Sequence, residues 1–117
     1  MAQAQKKYVQ FSAARLFAVQ AIYQMVKNDN TAAQAVHDFL NHHIPNAIHQ
    51  DSDLANPDKE LFSAIVVGAE NREKDLVLII SGAYKDQSSA DDVAKLKHKE
   101  PLLYAILLCG AYELLSH

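Results

Sequence analysis

Apolar residues recur at three- and four-residue steps through most of this chain, which is the spacing of one face of an α-helix. In the first segment Ala14, Phe17, Ala18, Ala21, Ile22 and Met25 share a face, and Asn28-Asp29-Asn30 predicts the turn that ends the helix. Thr31 is placed to cap a second helix with Ala32, Ala35, Val36, Phe39 and Leu40 as its buried stripe, and Pro45 is expected to stop it. A polar loop is expected from Pro45 to Asn56. Asn56-Pro57 then reads as a cap and first-turn proline, with Asp58 and Glu60 near the positive helix end. A third helix buries Leu61, Phe62, Ile65, Val66 and Ala69, with a kink or break around Gly68-Asn71-Arg72. Leu76 to Ile80 fits a buried strand as well as a helix. The charged lead-in from Arg72 to Asp75 and the lack of a second strand-like run favour a fourth helix, which carries Leu76, Ile79, Ile80 and Ala83. Ser88-Ser89 opens a short helix through a capping box closed by Asp92, and a last helix runs from about Pro101 to Leu115. That helix is apolar almost all round, as central helices of bundles are. The prediction is an all-α bundle of about five or six helices in one domain over residues 1–117.

Composition narrows the class. Half of the 117 residues are apolar and there are three glycines and three prolines, which excludes disordered and collagen-like chains. The longest apolar run, Leu102 to Tyr112, falls far short of the ~20 residues that span a bilayer, so a soluble, cytoplasmic protein is expected. The single cysteine, Cys109, reads as a small buried hydrophobe. Charge is unevenly distributed. Met1 to Lys27 carries Lys6, Lys7, Arg15 and Lys27 and no acid, whereas the whole chain is −3. A basic N-terminal arm over residues 1–11 leading into an apolar helix suggests a polyanion partner.

The residues offer little for catalysis. His37 and His42 lie about 140° apart on a helix and His42 and His43 about 100° apart, and neither a paired cysteine nor H-E-x-x-H accompanies them. No metal site and no cofactor are expected. A G-x-S-x-G elbow and a glycine-rich phosphate loop are both missing, so the chain does not read as an enzyme. The first helix remains. Arg15 and Tyr23 are about two turns apart, Gln20 lies beside Tyr23 on the projection, and Lys6 and Lys7 stand upstream. Together these five offer cations for phosphates and a ring and an amide for single-stranded RNA bases.

The order of residues in that helix resembles the NusB transcription antitermination factors. Ala14-Arg15-Leu16-Phe17-Ala18-Val19-Gln20-Ala21-Ile22-Tyr23 fits the family's A-R-x-x-A-[VL]-Q-x-L-Y with isoleucine for leucine. Asp29-Asn30, Phe39-Leu40, Gly68, Leu76 and the final Ala111-Tyr112-Glu113-Leu114-Leu115 fall in the family order, so the resemblance covers about Ser12 to Leu115. It implies a helical adaptor without catalytic activity. Such an adaptor binds boxA RNA together with the ribosomal protein NusE, and joins other Nus factors on RNA polymerase in ribosomal RNA operons. It also implies RNA-contact roles for Arg15 and Tyr23.

Departures from the family pattern shape a second expectation. Ser12 and Ala13 stand where the family is arginine-rich, and Val77 replaces its aspartate. Leu103-Tyr104-Ala105-Ile106-Leu107-Leu108 replaces E-K-A-[IV]-L-R. The chain stops before the family's last helices, so an open apolar face is expected on the last helix. Leu103, Tyr104, Leu108 and Tyr112 are its partner-binding candidates, for a protein partner or a second copy.

Overall fold

A computed structural model describes residues 2–83 and 90–116, and every regular element among them is helical. The first helix, α1 (Ala2–Asn28), has 27 residues, about 40 Å at 1.5 Å per residue, and nearly matches the 44 Å long axis of the molecule. It takes in residues 2–11, so the basic N-terminal stretch is a continuation of the helix. Asp29 ends α1 in the left-handed region (φ 56°), and the Asn30 N–H returns to the Met25 carbonyl at 3.2 Å. This is the turn expected at Asn28-Asp29-Asn30.

Helix α2 (Ala32–Asp38) opens on a full capping box. The Thr31 hydroxyl accepts from the Gln34 N–H, and the Gln34 side chain accepts from the Thr31 N–H. Glu70 adds a cap from another helix, its Oε2 accepting the Ala32 N–H at 2.6 Å. Pro45 does not stop this helix, contrary to the sequence expectation. One π turn (Phe39–His43) carries it into α3 (Ile44–Gln50), with the Ile44 N–H bonded to the Phe39 carbonyl. The wider turn makes room for the ring of a residue that has no N–H to donate. Asn41 Nδ2 donates to the His37 carbonyl at 2.8 Å, supporting the backbone next to the altered register.

The non-helical connection is therefore residues 51–58 and not the whole of Pro45 to Asn56. The cap of α4 (Lys59–Asn71) also moves. Asp58, two residues beyond Asn56, accepts the Leu61 N–H at 2.8 Å, and Pro57 lies outside the helix and is buried. The Asp58 N–H donates to the Gln10 carbonyl at 3.0 Å, tying this connection to α1. Arg72 interrupts the helix where a kink or break was expected, and α5 (Glu73–Ala83) is a helix that buries Leu76 and Ile80. The Ser88-Ser89 cap lies outside the described residues. Helices α6 (Ala90–Lys99) and α7 (Pro101–Ser116) complete the bundle.

Helices α1, α4 and α7 pack against one another at the centre, with α2 against α1 and α4, and α5 and α6 against α7. Ala14, Ala18 and Ala21 of α1, Ala69 of α4 and Ala105 and Ala111 of α7 are all buried, and these small side chains allow close helix approach. Phe17, Phe62, Ile65, Val66, Leu76 and Leu108 fill the space between. Gly68 marks the tightest contact of α4 with α7, because an added Cβ there would fall on the Tyr112 ring. Gly68→Ala is expected to lower stability by roughly 1 kcal/mol, as overpacking outweighs the better helix propensity of alanine. Gly110 faces open space, so Gly110→Ala should raise stability by up to about 1 kcal/mol. Paired thermal melts that moved in the same direction would contradict this packing.

Candidate nucleic-acid interface

Helix α1 has one face in the core and the other in solvent. Ala14, Phe17, Ala18, Ala21 and Ile22 point inward, while Lys6, Lys7, Ser12, Arg15, Leu16 and Lys27 are exposed. Gln20 and Tyr23 lie at the boundary and are half-buried, and the Tyr23 ring also packs on the core. Arg15 and Tyr23 are separated by about 80° on the helical projection and share the solvent side. Lys6 and Lys7 belong to the first turns of the same helix. All 27 residues of α1 are free of carboxylates.

The acid that meets Arg15 comes from α7. Arg15 Nε donates to Glu113 Oε1 at 2.7 Å, joining the two sequence motifs that lie furthest apart in the chain. The bond uses Nε, the inner nitrogen of the guanidinium, and the Arg15 side chain keeps 44 % exposure. An arginine held in this way has a restricted set of rotamers and terminal N–H groups suited to a phosphate.

The partner-binding candidates divide. Leu103 is 38 % exposed and Tyr112 is half-buried, but Tyr104 and Leu108 belong to the core at 1 % and 2 % exposure. Their assignment to an open face is corrected, because α7 turns Tyr104 toward α5 and α6 and Leu108 toward α1 and α4. Tyr104 donates its hydroxyl to Glu73 Oε2 at 2.5 Å, and Lys97 lies 3.2 Å from the same oxygen. The open face of α7 is instead carried by Leu102, Leu103, Ile106 and Leu114. Beside it, Ile79, Ile80, Ala83, Leu107, Gly110 and Ala111 help line an apolar groove of 610 Å³ between α5 and α7. A second cleft, of 290 Å³, contains Glu70 and Glu73, but both carboxylates are engaged in the structural bonds already described.

Nucleophilic chemistry finds little support. Burial, and then the nearby Glu113 charge, push the Cys109 thiol from its ordinary 9.0 up to about 12, so it is a thiol and not a thiolate at neutral pH. His37, His42, His43, His49 and His98 are exposed, and among the described residues no three metal-ligating side chains converge. Burial, followed by the hydrogen bond to Glu73, also raises the Tyr104 hydroxyl above its ordinary 10.0. Both shifts hold the folded groups protonated where the unfolded chain has begun to lose its protons. Stability from these groups is therefore complete below pH 9 and falls as pH rises beyond it. Cys109→Ala should delay the onset of that loss to about pH 10, where Tyr104 begins to contribute. Urea midpoints measured across alkaline pH test this, and a midpoint that stayed flat to pH 11 would contradict it.

The fold and this surface define a class: a small helical bundle with a carboxylate-free basic helix and no assembled catalytic group among the described residues. The chain belongs to the NusB family, which it matches over residues 12–117. It is 33% identical over 105 residues to the transcription antitermination protein NusB of Sphingopyxis alaskensis, covering 90% of this chain and 66% of that one. It is 28% identical to the protein of the same name from Gluconobacter oxydans, over 86% of this chain and 61% of that one. For Maricaulis maris the identity is 29%, over 88% and 60%. The chain thus spans slightly less than two thirds of the length of these relatives. No solved structure matches it significantly. Among the described residues no helix is long and apolar enough to cross a membrane.

Sequence reasoning missed Tyr8, which the structure leaves 71 % exposed on α1, the most exposed aromatic side chain of the described residues. The signal was present in the spacing. Tyr8 precedes Arg15 by seven residues, two helical turns.

Proposed function

We propose that this chain is an RNA-binding adaptor of transcription antitermination. It holds boxA-like single-stranded RNA on the solvent face of α1 in concert with the ribosomal protein NusE, in the cytoplasm, during transcription of ribosomal RNA. Other Nus factors and RNA polymerase are engaged indirectly through that complex. The observation that carries this reading is the carboxylate-free helix α1 with Arg15 exposed and held at Nε, in a chain of the NusB family. Lys6, Lys7 and Arg15 meet phosphates, while Gln20 and the accessible part of the Tyr23 ring meet bases. Binding and positioning are the whole of the activity, and no catalytic step is required. Titration of a labelled boxA-type RNA at several salt concentrations tests the reading: affinity should fall steeply as salt rises. Salt-independent binding would count against it.

One observation favours a second reading. The face of α7 formed by Leu102, Leu103, Ile106 and Leu114 is apolar and continues into the α5–α7 groove. Exposed apolar surface of this kind marks interaction sites, and a second copy of the chain offers the same uncharged surface in return. Light scattering should then show association that rises with concentration and is abolished by Leu114→Glu, at a position 77 % exposed. A monomer at all concentrations would exclude self-association.

A further inference from the structure

The family match begins at residue 12, whereas α1 begins at Ala2, so about three turns of helix precede the matched segment. Those turns carry Lys6, Lys7 and Tyr8, all exposed, and no carboxylate. Tyr8 lies about 20° from Arg15 on the helical projection and about 10 Å from it along the axis, on the same rigid rod. The rod is anchored at this level, since Gln10 and Phe11 are half-buried and the Gln10 carbonyl accepts the Asp58 N–H at 3.0 Å. An aromatic ring kept 71 % in solvent beside two lysines, on a helix fixed in place, has the composition of a single-strand binding platform: a π-face for a base and cations for its flanking phosphates.

We propose that Tyr8 extends the RNA surface beyond the family-matched segment, its ring stacking on a base next to the phosphates that Lys6 and Lys7 meet. This rests on the RNA-binding reading above and adds to it a contact outside the family-matched residues. The ring provides affinity with little preference for base identity, because every base has a face to stack.

The test uses the full chain and a labelled single-stranded boxA-type RNA. Tyr8→Ala should weaken binding by about fivefold or more, and Tyr8→Phe should stay within about twofold of wild type, because stacking needs the ring and not the hydroxyl. Lys6→Gln with Lys7→Gln should reduce the magnitude of the log–log salt slope by about 1.4, the release of two counterions from a single strand. The chain contains no tryptophan, so Tyr8→Trp introduces a single indole whose emission should be quenched on RNA binding. If Tyr8→Ala and Tyr8→Phe both bind as wild type and the indole is not quenched, while Arg15→Ala weakens binding, the extension is overturned and the wider RNA reading stands. If Tyr8→Ala keeps RNA affinity but loses NusE, the surface serves a protein, and the proposal is again overturned. RNA binding by none of the proteins, wild type included, removes both.

Discussion

Phe62→Ala is expected to destabilise the bundle by about 3–5 kcal/mol, the largest effect foreseen for any single substitution described above. Phe62 is fully buried on α4, where that helix meets α1, α2 and α7. Its ring lies 5.9 Å from Phe39 at an interplanar angle of 26°, and Phe39 in turn stacks on His43 at 4.3 Å within the π turn. Removing the ring therefore leaves a cavity at the centre and takes away the support of the turn that carries the chain past Pro45. Total stabilities of small domains are about 5–15 kcal/mol, so the loss is a large share of the whole. Urea unfolding followed by helical circular dichroism should show a lowered midpoint. Leu78→Ala, at a position 60 % exposed, should change stability by no more than about 0.5 kcal/mol. Equal effects of the two substitutions would mean that α4 is not central.

The second large effect concerns RNA. Arg15→Ala should weaken binding of boxA-type RNA about tenfold or more, since charge-assisted hydrogen bonds contribute about 1.5–3 kcal/mol. It should also flatten the salt slope by about 0.7, the counterion equivalent of one contact on a single strand. The substitution breaks the 2.7 Å bond to Glu113 as well. That ion pair is partly exposed, and such pairs contribute about 0–1 kcal/mol, so the fold should survive and the loss should appear in binding. Tyr23→Ala should weaken binding at the lower end of the ~1–3 kcal/mol of a stacked base, because its ring is partly buried against the core. Its melting temperature must be measured beside its affinity, since that core contact is lost too.

The elements that were readable from sequence are those set by local chemistry. Thr31 as a cap, the Asp29 turn and the buried stripe of α4 depend on residues close in the chain, and they stand where local sequence puts them; the answering bond from Gln34 was not foreseen. Pro45 was misread because the missing N–H was weighed without the π turn that absorbs it. Asn56 lost the capping role to Asp58, whose N–H is held by Gln10, a partner on another helix. Tyr104 and Leu108 were placed outward because a helix apolar all round has no pattern to say which side is buried. Packing of α7 against α1, α4, α5 and α6 decides that, along with the bond to Glu73. Of the proposed site, a linear motif made Arg15, Gln20 and Tyr23 visible as candidates, and the structure leaves Arg15 exposed and the other two partly so. The Arg15–Glu113 pair joins residues 98 positions apart, a juxtaposition made by the packing of α1 on α7.

On the proposed function, the solvent face of α1 binds single-stranded RNA in partnership with NusE. The most direct measurement is a titration of labelled boxA-type RNA with the full chain, at low and physiological salt, with and without NusE. Binding should weaken steeply with salt, tighten when NusE is present and drop about tenfold in Arg15→Ala. Binding that is absent under every condition, or that is the same for wild type and Arg15→Ala, would contradict it.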